Sequence, residues 1–167
     1  MKIVFGLMLT VCFGVRTFAQ DPWRPFEFLI GDWVGEDGGG PGQGGGGFSL
    51  YFDLNKTVLV RKNFAEYPAQ NDRPSSRHED LMVIYLDESS KKPRAIYFDS
   101  EGHTIRYAVT VIANALVFES EAGQPLLPHY RLTYTPSGDH VKGKFEIRSP
   151  GEADYRTYID FTVRRKE

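Results

Sequence analysis

The chain has 167 residues, 25% of them charged, with a formal net charge of −2 and a single cysteine. A mildly acidic chain without a basic stripe is not built to hold a phosphate backbone, so no nucleic-acid partner is expected. One cysteine rules out a disulfide framework and a thiolate metal cage.

Taken in chain order, residues 1–19 read as a signal peptide. Lys2 supplies the positive start, the apolar run Ile3 to Phe13 is too short to span a bilayer, and Thr17-Phe18-Ala19 ends it with small residues at the cleavage positions. Cleavage after Ala19 leaves residues 20–167 as a single β-barrel domain and removes Cys12, Lys2 and Arg16. Cys12 also opens a lipid-anchor alternative, because Leu9-Thr10-Val11-Cys12 loosely resembles a lipobox, although Val11 stands where a small residue is wanted. Export without a remaining cysteine predicts a periplasmic or secreted protein. No later run has the length of a membrane span, so none is expected after cleavage.

Residues 24–30 are predicted to form one short helical turn that plugs a barrel end, with Phe26, Leu29 and Ile30 inward. Beyond residue 30 the apolar residues recur with period two, the spacing of a half-buried strand. Val141, Gly143, Phe145 and Ile147 alternate with His140, Lys142, Lys144, Glu146 and Arg148, which puts His140 on the polar face. Ten strands are predicted: 32–37, 47–54, 57–66, 79–87, 93–99, 103–112, 115–119, 129–135, 140–148 and 155–165. Turn signals such as Ser100-Glu101-Gly102 and Pro136-Ser137-Gly138-Asp139 separate them. Short connections imply antiparallel neighbours, and closure removes two exposed edges. The fold class is therefore all-β: a ten-stranded antiparallel up-and-down β-barrel with a short N-terminal helical turn. A sandwich needs longer crossovers than this chain offers; its longest connections are 38–46 and 67–78.

Several groups of residues carry chemistry. Nine glycines fall in Gly35–Gly47 and include the spacing G-x-G-x-x-G at Gly40, Gly42 and Gly45. A strand follows them instead of a helix N-terminus, so the tract reads as a loop between strands and not as a phosphate cradle. His78-Glu79-Asp80 opens one strand, and Asp99 and His103 lie across a hairpin. These nitrogen and oxygen ligands could hold zinc or another divalent ion, or form a polar network at the barrel rim. Arg61, Arg106, Arg131 and Arg156 sit near strand centres. Arg61 and Arg106 lie in runs with apolar residues on both faces, so either could face the lumen and clamp a carboxylate. Tyr85, Tyr97 and Tyr107 could line a cavity. No G-x-S-x-G elbow, H-E-x-x-H or P-loop is present, which weighs against an enzyme.

Gly31-Asp32-Trp33-Val34-Gly35-Glu36, at the head of ten strands, resembles the calycin-like group that includes lipocalins, fatty-acid-binding proteins and nitrobindin-type haem barrels. Phe52-Asp53-Leu54-Asn55, Val60-Arg61-Lys62-Asn63, His78-Glu79-Asp80-Leu81-Met82 and Tyr97-Phe98-Asp99-Ser100-Glu101-Gly102-His103 resemble an exported bacterial family without an assigned activity. The haem-binding branch carries its iron-ligating histidine near the last strand. Residues 155–167 hold no histidine here. Haem is therefore not expected through that ligand.

These readings converge on an exported barrel that holds a small, partly apolar molecule in its lumen, with a carboxylate as one option for the polar end. The predicted ligand-binding residues are Arg61, Asn63, His78, Tyr97, Asp99, His103, Arg106 and Tyr107. No cofactor is expected, haem or a divalent metal being the alternative, together with acid–base work by Asp99 and His103. A third possibility is a barrel packed solid that binds a partner through residues 38–46. The assembly expected is a monomer or homodimer.

Overall fold

A computed structural model describes residues 21–36, 45–69, 74–121 and 126–167. The predicted signal peptide, Cys12 and most of the glycine-rich loop lie outside the described residues. The chain runs through a 3-10 turn, Arg24–Leu29, and ten strands: β1 Gly31–Gly35, β2 Gly46–Asp53, β3 Val58–Tyr67, β4 Ser76–Leu86, β5 Pro93–Asp99, β6 Thr104–Ile112, β7 Ala115–Ser120, β8 His129–Ser137, β9 His140–Arg148 and β10 Arg156–Arg165. Each strand pairs antiparallel with the next, and β1 pairs with β10 to close the barrel. This is the all-β, ten-stranded antiparallel barrel that the period-two alternation predicts. β4 starts earlier than the sequence pattern suggests, because Ser76, Arg77 and His78 pair with Tyr67, Glu66 and Ala65 of β3.

One end of the barrel is filled. Phe26 and Leu29 of the 3-10 turn are buried among Leu50, Leu59, Ile84 and Leu116. Trp33 fixes this plug to the wall. Its indole Nε1 donates to the Leu29 carbonyl at 2.8 Å, its ring stacks on Phe48 at 6.1 Å, and the Arg165 guanidinium lies 4.7 Å above it. Gly31 makes the corner. Its φ of +129° suits glycine, and a Cβ there would sit 2.6 Å from the Arg165 guanidinium. The same guanidinium donates to the Ile30 carbonyl at 2.9 Å, so first and last strands meet around the plug.

Gly143 of β9 lies directly across from Phe161 of β10. The Phe161 ring covers the glycine, and a Cβ at position 143 would overlap that ring. Gly143→Ala should therefore lower stability by about 1–3 kcal/mol through forced repacking. Adding Phe161→Leu should recover part of the loss in urea unfolding; a Gly143→Ala midpoint equal to the parent's would refute this packing.

Candidate functional site

Above the plug the barrel encloses a cavity of about 550 Å³ that opens at the opposite end. Its two sides differ in chemistry. The inward rows of β8, β9 and β10 supply Leu132, Phe145, Ile147, Ile159 and Phe161. Those of β3 to β6 supply polar groups, which build up from one buried ion pair.

Arg61, on β3 between Leu59 and Asn63, is 6% exposed. Its guanidinium donates to the Asp80 carboxylate on β4 and to the Tyr134 hydroxyl on β8, on the far side of the barrel. Burial alone would favour a neutral arginine. The Asp80 carboxylate and Tyr134 more than reverse this, and the Arg61 pKa rises above its ordinary value. Burial also pushes the Tyr134 hydroxyl upward, so it remains protonated.

Asp80 organises the next layer. Asn63 Nδ2 donates to its Oδ2 at 2.7 Å, and His78 Nε2 lies 3.5 Å from the same oxygen. The His78 ring is held from both sides: Nδ1 lies 2.8 Å from Glu101 Oε2, and the Tyr97 hydroxyl lies 3.2 Å from Nε2. With Nδ1–H donating to Glu101, Nε2 is free to accept from Tyr97. The Tyr97 hydroxyl also lies 3.4 Å from Asp99 Oδ2. Burial, then the charges of Asp80 and Asp99, push the Tyr97 pKa well up, so its hydroxyl acts as a donor.

At the mouth, the β5–β6 hairpin wraps its own acid. Asp99 accepts from the amides of Glu101 at 3.1 Å and His103 at 2.8 Å, and from the His103 ring at 2.9 Å. Burial raises the Asp99 pKa, but these bonds from His103 and Glu101 outweigh it, and the net shift is downward. His103 itself is exposed, with two-thirds of its side chain open to solvent. Atoms of Asp99, Glu101 and His103 come within 4.8 Å of one another, so this trio could hold a divalent cation if Asp99 released the imidazole. Both ring nitrogens of His78 are already engaged.

Of the residues predicted for the site, Arg61, Asn63, His78, Tyr97, Asp99, His103 and Tyr107 all line the cavity. Arg106 does not. Ile105 and Tyr107 take the inward positions of β6, so alternation turns Arg106 outward, where it is exposed and pairs across the sheet with Ile96. Tyr85 likewise faces out, opposite Val58 and Arg94. His140 is on the outer face as predicted, bonded to Glu36 at 2.9 Å. The sequence offers Asp80 as a metal ligand or as a member of a polar network at the rim, not as the partner of Arg61, and Tyr134 and Glu101 are not among the predicted site residues. Asp80 carried a usable signal, since it shares its face of β4 with Met82 and Ile84.

No protein-family model matches the chain, and a search of curated proteins finds no match. Function is therefore read from the cavity.

Two consequences follow for stability. Asp80→Leu leaves the Arg61 charge buried without its partner and should cost about 3–5 kcal/mol, whereas the double change Arg61→Met with Asp80→Leu should unfold close to the parent. A double change as unstable as Asp80→Leu would refute the pair as the source of the loss. Because the folded pKa of Asp99 is depressed, its contribution is complete above the ordinary value of 3.8 and disappears as pH falls below it. Asp99→Asn should thus melt below the parent at neutral pH, with the gap closing in acid; a gap independent of pH would count against this assignment.

Proposed function

We propose that this barrel binds a small, partly apolar molecule in its lumen, as lipocalin-like proteins do, and works after export as a periplasmic or secreted binding protein. The observation that carries this reading is the cavity itself. About 550 Å³ falls within the range of small-molecule sites, and the pairing of an apolar wall with a few convergent polar groups is typical of them. The closed plug gives the lumen one floor and one mouth, which suits holding a ligand better than conducting one.

The outer surface supports a barrel that stands in water. Lys62, Lys142, Lys144 and Asp160 are exposed on the outside, while the lumen is largely apolar. A membrane barrel has the opposite arrangement, with an apolar band outside and polar groups within. Export itself rests on residues 1–19, which carry the signal-peptide pattern.

Native mass spectrometry of the protein purified without refolding tests the reading. The expected result is added mass that is lost on denaturation, and that falls in Leu132→Trp, which puts an indole into the lumen. A bare chain mass, unchanged after incubation with cell extract, would overturn it.

A further inference from the structure

The hydrogen bonds of the cavity wall define the chemistry of the molecule that fits it. Its carboxylates are already engaged. Asp80 accepts from Arg61 and Asn63, Asp99 from two amides and an imidazole, and Glu101 faces the His78 Nδ1. Donors are left over. Tyr107, 1% exposed and inward on β6, lines the cavity, and its hydroxyl has no hydrogen-bond partner among the described residues. Burial pushes its pKa up to a range where the hydroxyl stays protonated at any ordinary pH. The Nε–H of Arg61 is also buried without an acceptor. A ligand gains by bringing an acceptor to an unpartnered donor that it can reach. Tyr107 is that group, since the Arg61 Nε is covered by protein atoms.

Charge narrows the choice further. An anionic head would enter a lumen that holds the carboxylates of Asp80, Asp99 and Glu101 against two guanidinium groups, both already paired: Arg61 with Asp80, and Arg77 with Glu66 and Glu79. An ammonium head would find attractive charge, but it brings three donors and no acceptor, so it would leave the Tyr107 hydroxyl without a partner. An uncharged oxygen meets neither obstacle.

Resting on the lumen-binding reading above, we infer that the ligand carries an uncharged oxygen head, a carbonyl or a hydroxyl, bonded by the Tyr107 hydroxyl, with its apolar body against Leu132, Phe145 and Phe161. This replaces the carboxylate considered from the sequence. Arg61 is a paired brace and not a free clamp.

The test uses four eight-carbon probes: hexyl methyl ketone, octanol, octanoate and octylamine. Each is titrated against the folded protein at neutral pH, followed by the methyl resonances of Leu132 and Ile105. The ketone and the alcohol should bind roughly tenfold or more tightly than either charged probe, and Tyr107→Phe should remove about that factor for both of them while leaving the spectrum of the free protein otherwise unchanged. Octanoate or octylamine binding as tightly as the ketone would overturn the inference, as would an unaltered ketone affinity in Tyr107→Phe. If no probe moves a lumen methyl, the lumen-binding reading itself fails, and that outcome is separate from a wrong choice of head group.

Discussion

The Arg61–Asp80 pair is the constraint on which the interior depends. Removing two charges from water is expensive, and a buried pair is often no more stable than apolar residues of the same volume. Its presence inside a barrel of this size therefore calls for a structural reason. Arg61 stands on β3 and Asp80 on the adjacent β4, but the guanidinium also reaches Tyr134 on β8. It thus braces opposite walls. On the plug side of this brace the lumen is filled by Leu50, Leu59, Ile84, Leu116 and Phe26. On the other side it is open. Each further side chain packed over a polar brace would have to meet its polar groups, and so the brace makes a floor where an apolar core would have continued to fill.

The rest of the polar wall hangs from that floor. Asp80 orients Asn63 and faces His78; His78 meets the Tyr97 hydroxyl; Glu101 secures His78 from the hairpin that wraps Asp99. Each group owes its position to the one beneath it, and the sequence spreads them over β3, β4, β5 and the β5–β6 turn. Such a network is costly when half satisfied and rigid when complete. Here it is nearly complete, which is why the leftover donors at Tyr107 and Arg61 stand out.

Much of this was legible in the residues. Period-two alternation fixes which side chains share a face, and short turns fix which strands are neighbours, so ten closed strands follow from local pattern. The same alternation puts Arg61 and Asn63 on one face and Tyr107 on the inward face of its strand. Arg106 shows where the pattern is weak. Its outer-face neighbours Ile96 and Ala108 are half-buried, so apolar character alone does not separate outside from inside on β6. Tyr107 and Val109, both buried on the inward face, settle the register. Tyr134 was illegible for a different reason. Its hydroxyl meets a residue 73 positions earlier, across the barrel, and no local pattern encodes a contact between non-adjacent strands. Asp80 was visible as an acid in an apolar row, yet its partner is diagonal on β3, since Arg61 lies across from Met82 and Asn63 from Asp80.

The two-sided lumen has a consequence for any molecule bound there. Its polar groups belong to four consecutive strands and its apolar wall to three others, so the asymmetry is laid down along the chain and not by folding of distant segments. A rod-shaped ligand entering at the mouth must pass Asp99, Glu101 and His103 before it reaches Tyr107. On the lumen-binding proposal, carboxylates at the entrance would disfavour an anion before the unspent Tyr107 hydroxyl deeper in the lumen selected an acceptor. On our inference that the ligand carries an uncharged oxygen, exclusion at the mouth and an unmet donor within would let one buried arginine, already neutralised, sit in the cavity without making it a carboxylate site.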